Sequence, residues 1–165
     1  MSNLTPEEVV KDLKSLGNQH TEYLTEPSLE ILETFPAPKG EFTVEFVQAH
    51  NEFSSLCPKT GQPDSATFKI FYSPDKKCIE SKSLKLYLFS YRNTKGFGES
   101  ITNKVADDLQ RVLQAKWLVV LGSFSPRGGI GWNTKAIRLG LFDNGIKFQP
   151  IQPSQVDLQM IANYK

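Results

Sequence analysis

The sequence predicts an α+β domain: a mainly antiparallel sheet of four strands carrying two helices on one face. Three observations lead there. Strict alternation over Glu41–Phe46 and the apolar run Trp117–Leu121 have the pattern and length of strands. From Ser83 the apolar period lengthens to that of a helix, and stays so until about Val112. The chain has 165 residues, close to the roughly 150 of one domain, and 39% of them are apolar, enough for a packed core.

The elements follow in order. Thr5-Pro6-Glu7-Glu8 reads as a helix start, with a capping threonine, proline at the first helical position and a glutamate closing a capping box. Val9, Val10, Leu13 and Leu16 continue at helical spacing, and Gly17 is a stop. Pro36, Pro38 and Gly40 break the chain before Glu41–Phe46, which puts Phe42, Val44 and Phe46 on one face of a strand. A second strand spans Ala66–Tyr72. Between them, Pro58, Gly61 and Pro63 make Ser54–Asp64 a shaped loop. Leu84, Tyr87, Leu88 and Tyr91 mark one helix, and Ile101, Val105, Leu109 and Val112 the next. Strands Trp117–Ser125 and Ile130–Ile137 flank Pro126-Arg127-Gly128-Gly129, and a tail with Pro150 and Pro153 is partly extended. The two open edges of such a sheet invite assembly between subunits.

The charge balance, 19 Lys+Arg against 18 Asp+Glu, argues against an electrostatic nucleic-acid binder. Two cysteines are too few for a disulfide scaffold and fit a reducing compartment. No run approaches the roughly 18 apolar residues of a membrane span, and the acidic N-terminus is no signal peptide. A cytoplasmic domain is expected.

Cys57 lies in the proline-rich loop and not on a periodic apolar face. It reads either as a small core residue or as a nucleophile. Lys59 would favour a thiolate, and Asp64, at the far end of the stiffened loop, could give a proton to an electrophile that turns basic on attack.

FSSLCPKTGQPD followed by ESKSLKLYLFSYRN resembles the 7-cyano-7-deazaguanine reductases, the QueF-type nitrile reductases of queuosine biosynthesis, in their single-module form. SFSPRGGI and LGNQ fit as well, so the resemblance runs from about Leu16 to Ile130. It implies the tunnelling fold (T-fold) over one domain spanning 1–165, with an N-terminal helical extension and a C-terminal tail. It also implies ring assembly, a homodecamer of two pentamers with active sites between subunits. The implied substrate is a small-molecule deazaguanine nitrile, reduced to an aminomethyl group with NADPH; no metal or membrane enters.

Chemistry gives the implied roles a reason. A nitrile carbon accepts hydride poorly, whereas the thioimidate formed by Cys57 accepts it well, with Asp64 protonating the nitrogen. Glu99 matches the glutamate that anchors the purine edge through two parallel hydrogen bonds, with Ser81 and Phe97 in the same pocket. A carboxylate in a first helical turn is also simply favoured by the dipole. No GxGxxG follows a strand, so cofactor phosphates need side-chain cations. Lys82 and Lys85, three apart at a helix start where backbone N–H groups favour anions, and Arg127 in a glycine-rich turn are the candidates. Glu80, in the same motif, joins them. All could equally be solvated surface charges.

One position departs. The family usually carries histidine directly before the anchoring glutamate, and here the pair is Gly98-Glu99, with His20 and His50 outside the motif. A slower reductase is expected, improved by Gly98→His where the pocket has room. An amidine-forming transferase acting on the same nitrile, or a non-catalytic deazaguanine-binding protein, are the rival readings.

Overall fold

The computed structural model describes residues 23–143 and 147–149, with Thr5, Gln159 and Ala162. The expected N-terminal helix and the tail at Pro150 and Pro153 lie outside the described residues. In chain order the elements are β1 (Thr34–Pro36), β2 (Val44–Val47), β3 (Phe53–Leu56), β4 (Pro63–Ser73), β5 (Lys77–Ile79), α1 (Ser81–Phe89) and α2 (Gly98–Leu113). Then follow β6 (Trp117–Arg127), β7 (Ile130–Leu139), β8 (Leu141–Asp143) and β9 (Lys147–Gln149).

β4 and β6 form the spine, paired antiparallel from Ala66 opposite Phe124 to Ser73 opposite Trp117. β7 lies beyond β6. The other side of β4 is shared: β2 pairs with Lys69–Tyr72 and β3 with Pro63–Ala66. The strand expected at Glu41–Phe46 is Val44–Val47, and β3 continues that edge of β4 from the segment expected as a loop. β1 pairs with β5 and β8 with β9 in two small ribbons. Three-residue strands are too short to show a period, so the sequence did not reveal them.

Alternation decides which face is covered. Ala66, Phe68, Ile70 and Tyr72 of β4 join Leu118, Val120 and Phe124 of β6 beneath the helices. Against them lie Leu84, Tyr87, Leu88 and Tyr91, then Ile101, Val105, Leu109 and Leu113. Burying each such side chain contributes about 1.5–3 kcal/mol, so the helices are held mainly by this face. A smaller cluster of Phe71, Trp117 and Val119 lies on the opposite face. A buried polar clasp joins the helices: Tyr91 and Tyr87 hydroxyls are 2.8 Å apart, Tyr87 donates to Asp108 Oδ2 at 2.7 Å, and Lys104 reaches the same oxygen at 2.8 Å.

Two boundaries differ from expectation, each for a backbone reason. Half of the loop expected at Ser54–Asp64 is strand, because Pro63 stands at the first position of β4, where a proline disturbs the ladder least. Beyond Phe124 the β6–β7 register shifts, and the hairpin closes on Gly128 and Gly129 alone, at φ +57° and +82°. Positive φ at both central residues is the turn whose twist matches its strands.

Candidate active site

Cys57 follows β3 and opens a tight turn. Its N–H donates to Gln62 O at 2.9 Å, and Gly61, at φ +70°, donates to Cys57 O at 2.9 Å. The thiol's pKa is lowered from 9.0 to about 7. The Thr60 hydroxyl is the main cause, followed by the backbone N–H groups of Thr60 and Lys59. Residual desolvation and the charge of Asp64 oppose it. Lys59 thus acts through its backbone and not through the exposed ammonium that the sequence suggested. Thr60 was missed; a threonine three residues after a cysteine in a Pro-Lys-Thr-Gly turn was the available signal. Cys78 is buried, and burial raises its pKa.

Asp64 stands on β4 directly opposite Ser55. Its carboxylate meets Arg127, with Nε 2.9 Å from Oδ1, while Arg127 Nη2 donates to Pro63 O at 2.7 Å. Within one chain, Arg127 is thus beside Asp64. The tight hairpin at Gly128-Gly129 returns the chain here, an approach that no local sequence signal announces. Ser55 Oγ is buried and has no hydrogen-bond partner among the described residues.

Two backbone bonds bring the start of α2 to the cysteine loop: Leu56 N–H donates to Thr94 O at 2.9 Å and Gly96 N–H to Leu56 O at 3.1 Å. Phe97 then caps α2 and remains 56% exposed. Gly98 is buried, and the exposed Glu99 lies in the first helical turn. Glu99 lines a cleft of about 590 Å³ with Trp132, Asn133 and Lys135 among others. No side chain has room at position 98: a Cβ there would lie 2.6 Å from Phe124 Cζ and 2.7 Å from its Cε2. The condition on which Gly98→His depended is not met.

The start of α1 makes a second, separate group. Glu80 is buried and caps the helix, its carboxylate accepting from Lys82 N at 2.8 Å and Ser83 N at 2.7 Å. The expected anion site on those backbone N–H groups is thus already filled from within, and Glu80 serves the helix. Exposed Ser81 and Lys85 line a groove of about 310 Å³ with Phe46, Val47, Leu84 and Leu88. Lys82 is half-buried beside them in sequence. Cys57, Asp64 and Glu99 have no part in this groove. Within one chain, the structure brings together Cys57, Asp64 and Arg127, with the Thr94–Gly96 approach to α2 bonded to Leu56, while Glu99 lines its own cleft and Ser81 and Lys85 a separate groove.

The QueF-like protein family matches residues 63–138 of this chain. The chain is 52% identical over 126 residues to the NADPH-dependent 7-cyano-7-deazaguanine reductase of Bacillus cytotoxicus, covering 75% of each. It is likewise 52% identical over 126 residues to the reductase of that name from Streptococcus mutans, covering 75% of this chain and 76% of the other. Among solved structures, the apo archaeosine synthase QueF-Like superposes with a TM-score of 0.53 at 16% identity, over 64% of this chain and 99% of its own, a likeness of fold. Identity of about half across three-quarters of both sequences leaves one conclusion: this chain belongs to the family of the NADPH-dependent 7-cyano-7-deazaguanine reductases.

Proposed function

We propose that this chain is an oxidoreductase that reduces the nitrile of 7-cyano-7-deazaguanine to an aminomethyl group with NADPH, through a covalent thioimidate on Cys57. The observation that carries the reading is the thiol with its pKa lowered to about 7, held in a turn that begins beside Asp64's partner strand. At neutral pH a large share of such a thiol is thiolate, ready to attack. As the C–S bond forms, one π bond of the nitrile breaks and its nitrogen takes a proton. Asp64 can collect that proton from the thiol and pass it on, and Arg127 fixes the carboxylate's direction while it does so. Glu99 accepts two hydrogen bonds from the purine edge, and Phe97 covers the ring.

NADPH, when bound, supplies the hydride, twice for the four electrons between nitrile and amine. Lys82 and Lys85 fit its phosphates by charge, and Ser81 with the apolar walls of their groove suits a nicotinamide or adenine face. Glu80 holds the helix start from which those lysines project, and Arg127 is paired with Asp64. Cys57, Asp64 and Glu99 do not line the groove of Ser81 and Lys85, which is the reason to read the working site as shared between subunits. β2 and β7 are both open edges, with Val47 57% and Ile130 73% exposed. Sheet continued from β7 of one copy to β2 of the next would build a ring of T-fold domains, and two pentamers would make the decamer. Among the described residues no helix is long and apolar enough to cross a membrane; the reading places the enzyme in the cytoplasm, within queuosine biosynthesis.

The test is stoichiometry. Two NADPH consumed per nitrile lost, with amine formed, supports the reductase. Nitrile lost with ammonia and without NADPH gives the case to the amidine-forming transferase, and tight binding without turnover to a binding protein.

A further inference from the structure

The ring of Phe124 occupies a slot that two glycines make. A Cβ added at Gly98 would lie 2.6, 2.7 and 3.0 Å from three of its ring atoms. One added at Gly122 would lie 3.1 Å from its Cε2, and 2.8 Å from each of the Thr102 and Thr134 hydroxyl oxygens. The ring cannot swing aside. It is 4% exposed, stacks on Trp132 at 5.0 Å with the planes 4° apart, and meets Phe68 edge-on at 6.3 Å.

The start of α2 needs such a stop. Its cap residue, Phe97, makes no side-chain capping bond, so no polar contact of that kind pins the first turn. The Thr102–Thr134 hydroxyl pair, 2.6 Å apart, holds the helix to β7 a turn later, and Gly122 leaves room for it. Ahead of that pair, the surface on which the first turn rests is the Phe124 ring. We infer that Phe124 is a positioning residue for Glu99: seated between Gly98 and Gly122, its ring decides where α2 begins and hence where the Glu99 carboxylate stands. The inference rests on the reading of Glu99 as the purine anchor. It also gives Gly98 a role of its own: the space that a side chain would take at 98 belongs to the ring.

The experiment follows thioimidate formation without NADPH in Gly98→Ala, Phe124→Leu, the double variant and Glu99→Gln, at a series of 7-cyano-7-deazaguanine concentrations. Gly98→Ala should raise the half-saturating concentration about ten-fold or more while the saturated rate stays within about three-fold, because the cysteine turn is untouched. The double variant, in which leucine leaves room for the new methyl group, should recover most of that loss. A general loss of packing would not be rescued in this way. An unchanged half-saturation in Gly98→Ala, or losses that multiply in the double variant, would overturn the inference. Should Gly98→Ala not fold, Phe124→Leu decides alone: raised half-saturation with an unshifted Cys57 pH profile supports it, and unaltered half-saturation overturns it. If Glu99→Gln itself leaves half-saturation unaltered, the purine-anchor reading has failed. If Glu99→Gln weakens binding and the slot variants do not, only this inference falls.

Discussion

Arg127 reaches from the end of β6 to place its Nε 2.9 Å from Oδ1 of Asp64, the carboxylate whose charge is felt by the Cys57 thiol. Both side chains are largely covered, at 33% and 11% exposure, so the pair is shielded better than a surface bridge. In the proposed reaction this pairing gives Arg127 a part in aiming Asp64, which the first prediction tests.

Arg127→Ala should slow adduct formation on Cys57 even without NADPH, by about ten-fold, since Asp64 loses the contact that aims it. Asp64→Asn should slow it by roughly 10²–10⁴ while ligand affinity persists. Lys82→Ala should spare the adduct and weaken NADPH use. Stopped-flow absorbance of the thioimidate, with and without NADPH, separates these outcomes. An Arg127→Ala variant whose adduct forms at the native rate would return that residue to the cofactor.

Thiol reactivity should follow pH with a midpoint of about 7. The sign is fixed by the lowered pKa: reactivity is low below it and reaches its plateau above it, well before an ordinary thiol at 9.0 would ionise. Thr60→Val removes the leading stabiliser of the thiolate, so the midpoint should climb toward 9.0. Iodoacetamide labelling read by mass spectrometry checks this, and label should enter Cys57 and not buried Cys78. Labelling with equal rates at both cysteines would contradict the assignment.

Glu80→Ala should destabilise the fold by about 1–2 kcal/mol through loss of the α1 cap. With the cap gone, the Lys82 and Ser83 N–H groups become free to meet an anion. Urea unfolding measures the first effect. An unshifted midpoint would mean that Glu80 does not hold the helix start.

Tyr87→Phe should cost roughly 1–3 kcal/mol, because Asp108 would keep Lys104 yet lose a buried donor, and Tyr91 its acceptor. Burial and the neighbouring Tyr91 and Asp108 push the Tyr87 hydroxyl far above the ordinary tyrosine range, so it stays a donor at every pH at which the protein is folded. The loss should therefore be the same at pH 6 and pH 9, a comparison that thermal unfolding makes directly.

Local pattern determined a good deal of this protein. The period change at Ser83 announced Leu84, Tyr87, Leu88 and Tyr91 as one buried face, and all four are buried. Alternation put Val44 and Phe46 inward, although the ladder begins only at Val44. The cysteine loop and the ESKSLKLY segment pointed to the family, because such motifs are long and contiguous. Contacts between distant segments were decided only by the tertiary structure. Arg127 meets Asp64 across 63 positions, as their numbers show. Gly98 faces Phe124 because α2 is laid over β6. Periodicity reports which face of an element is buried. It carries no record of which side chain waits on the other side, since that depends on how the sheet is ordered and how closely the helices settle on it.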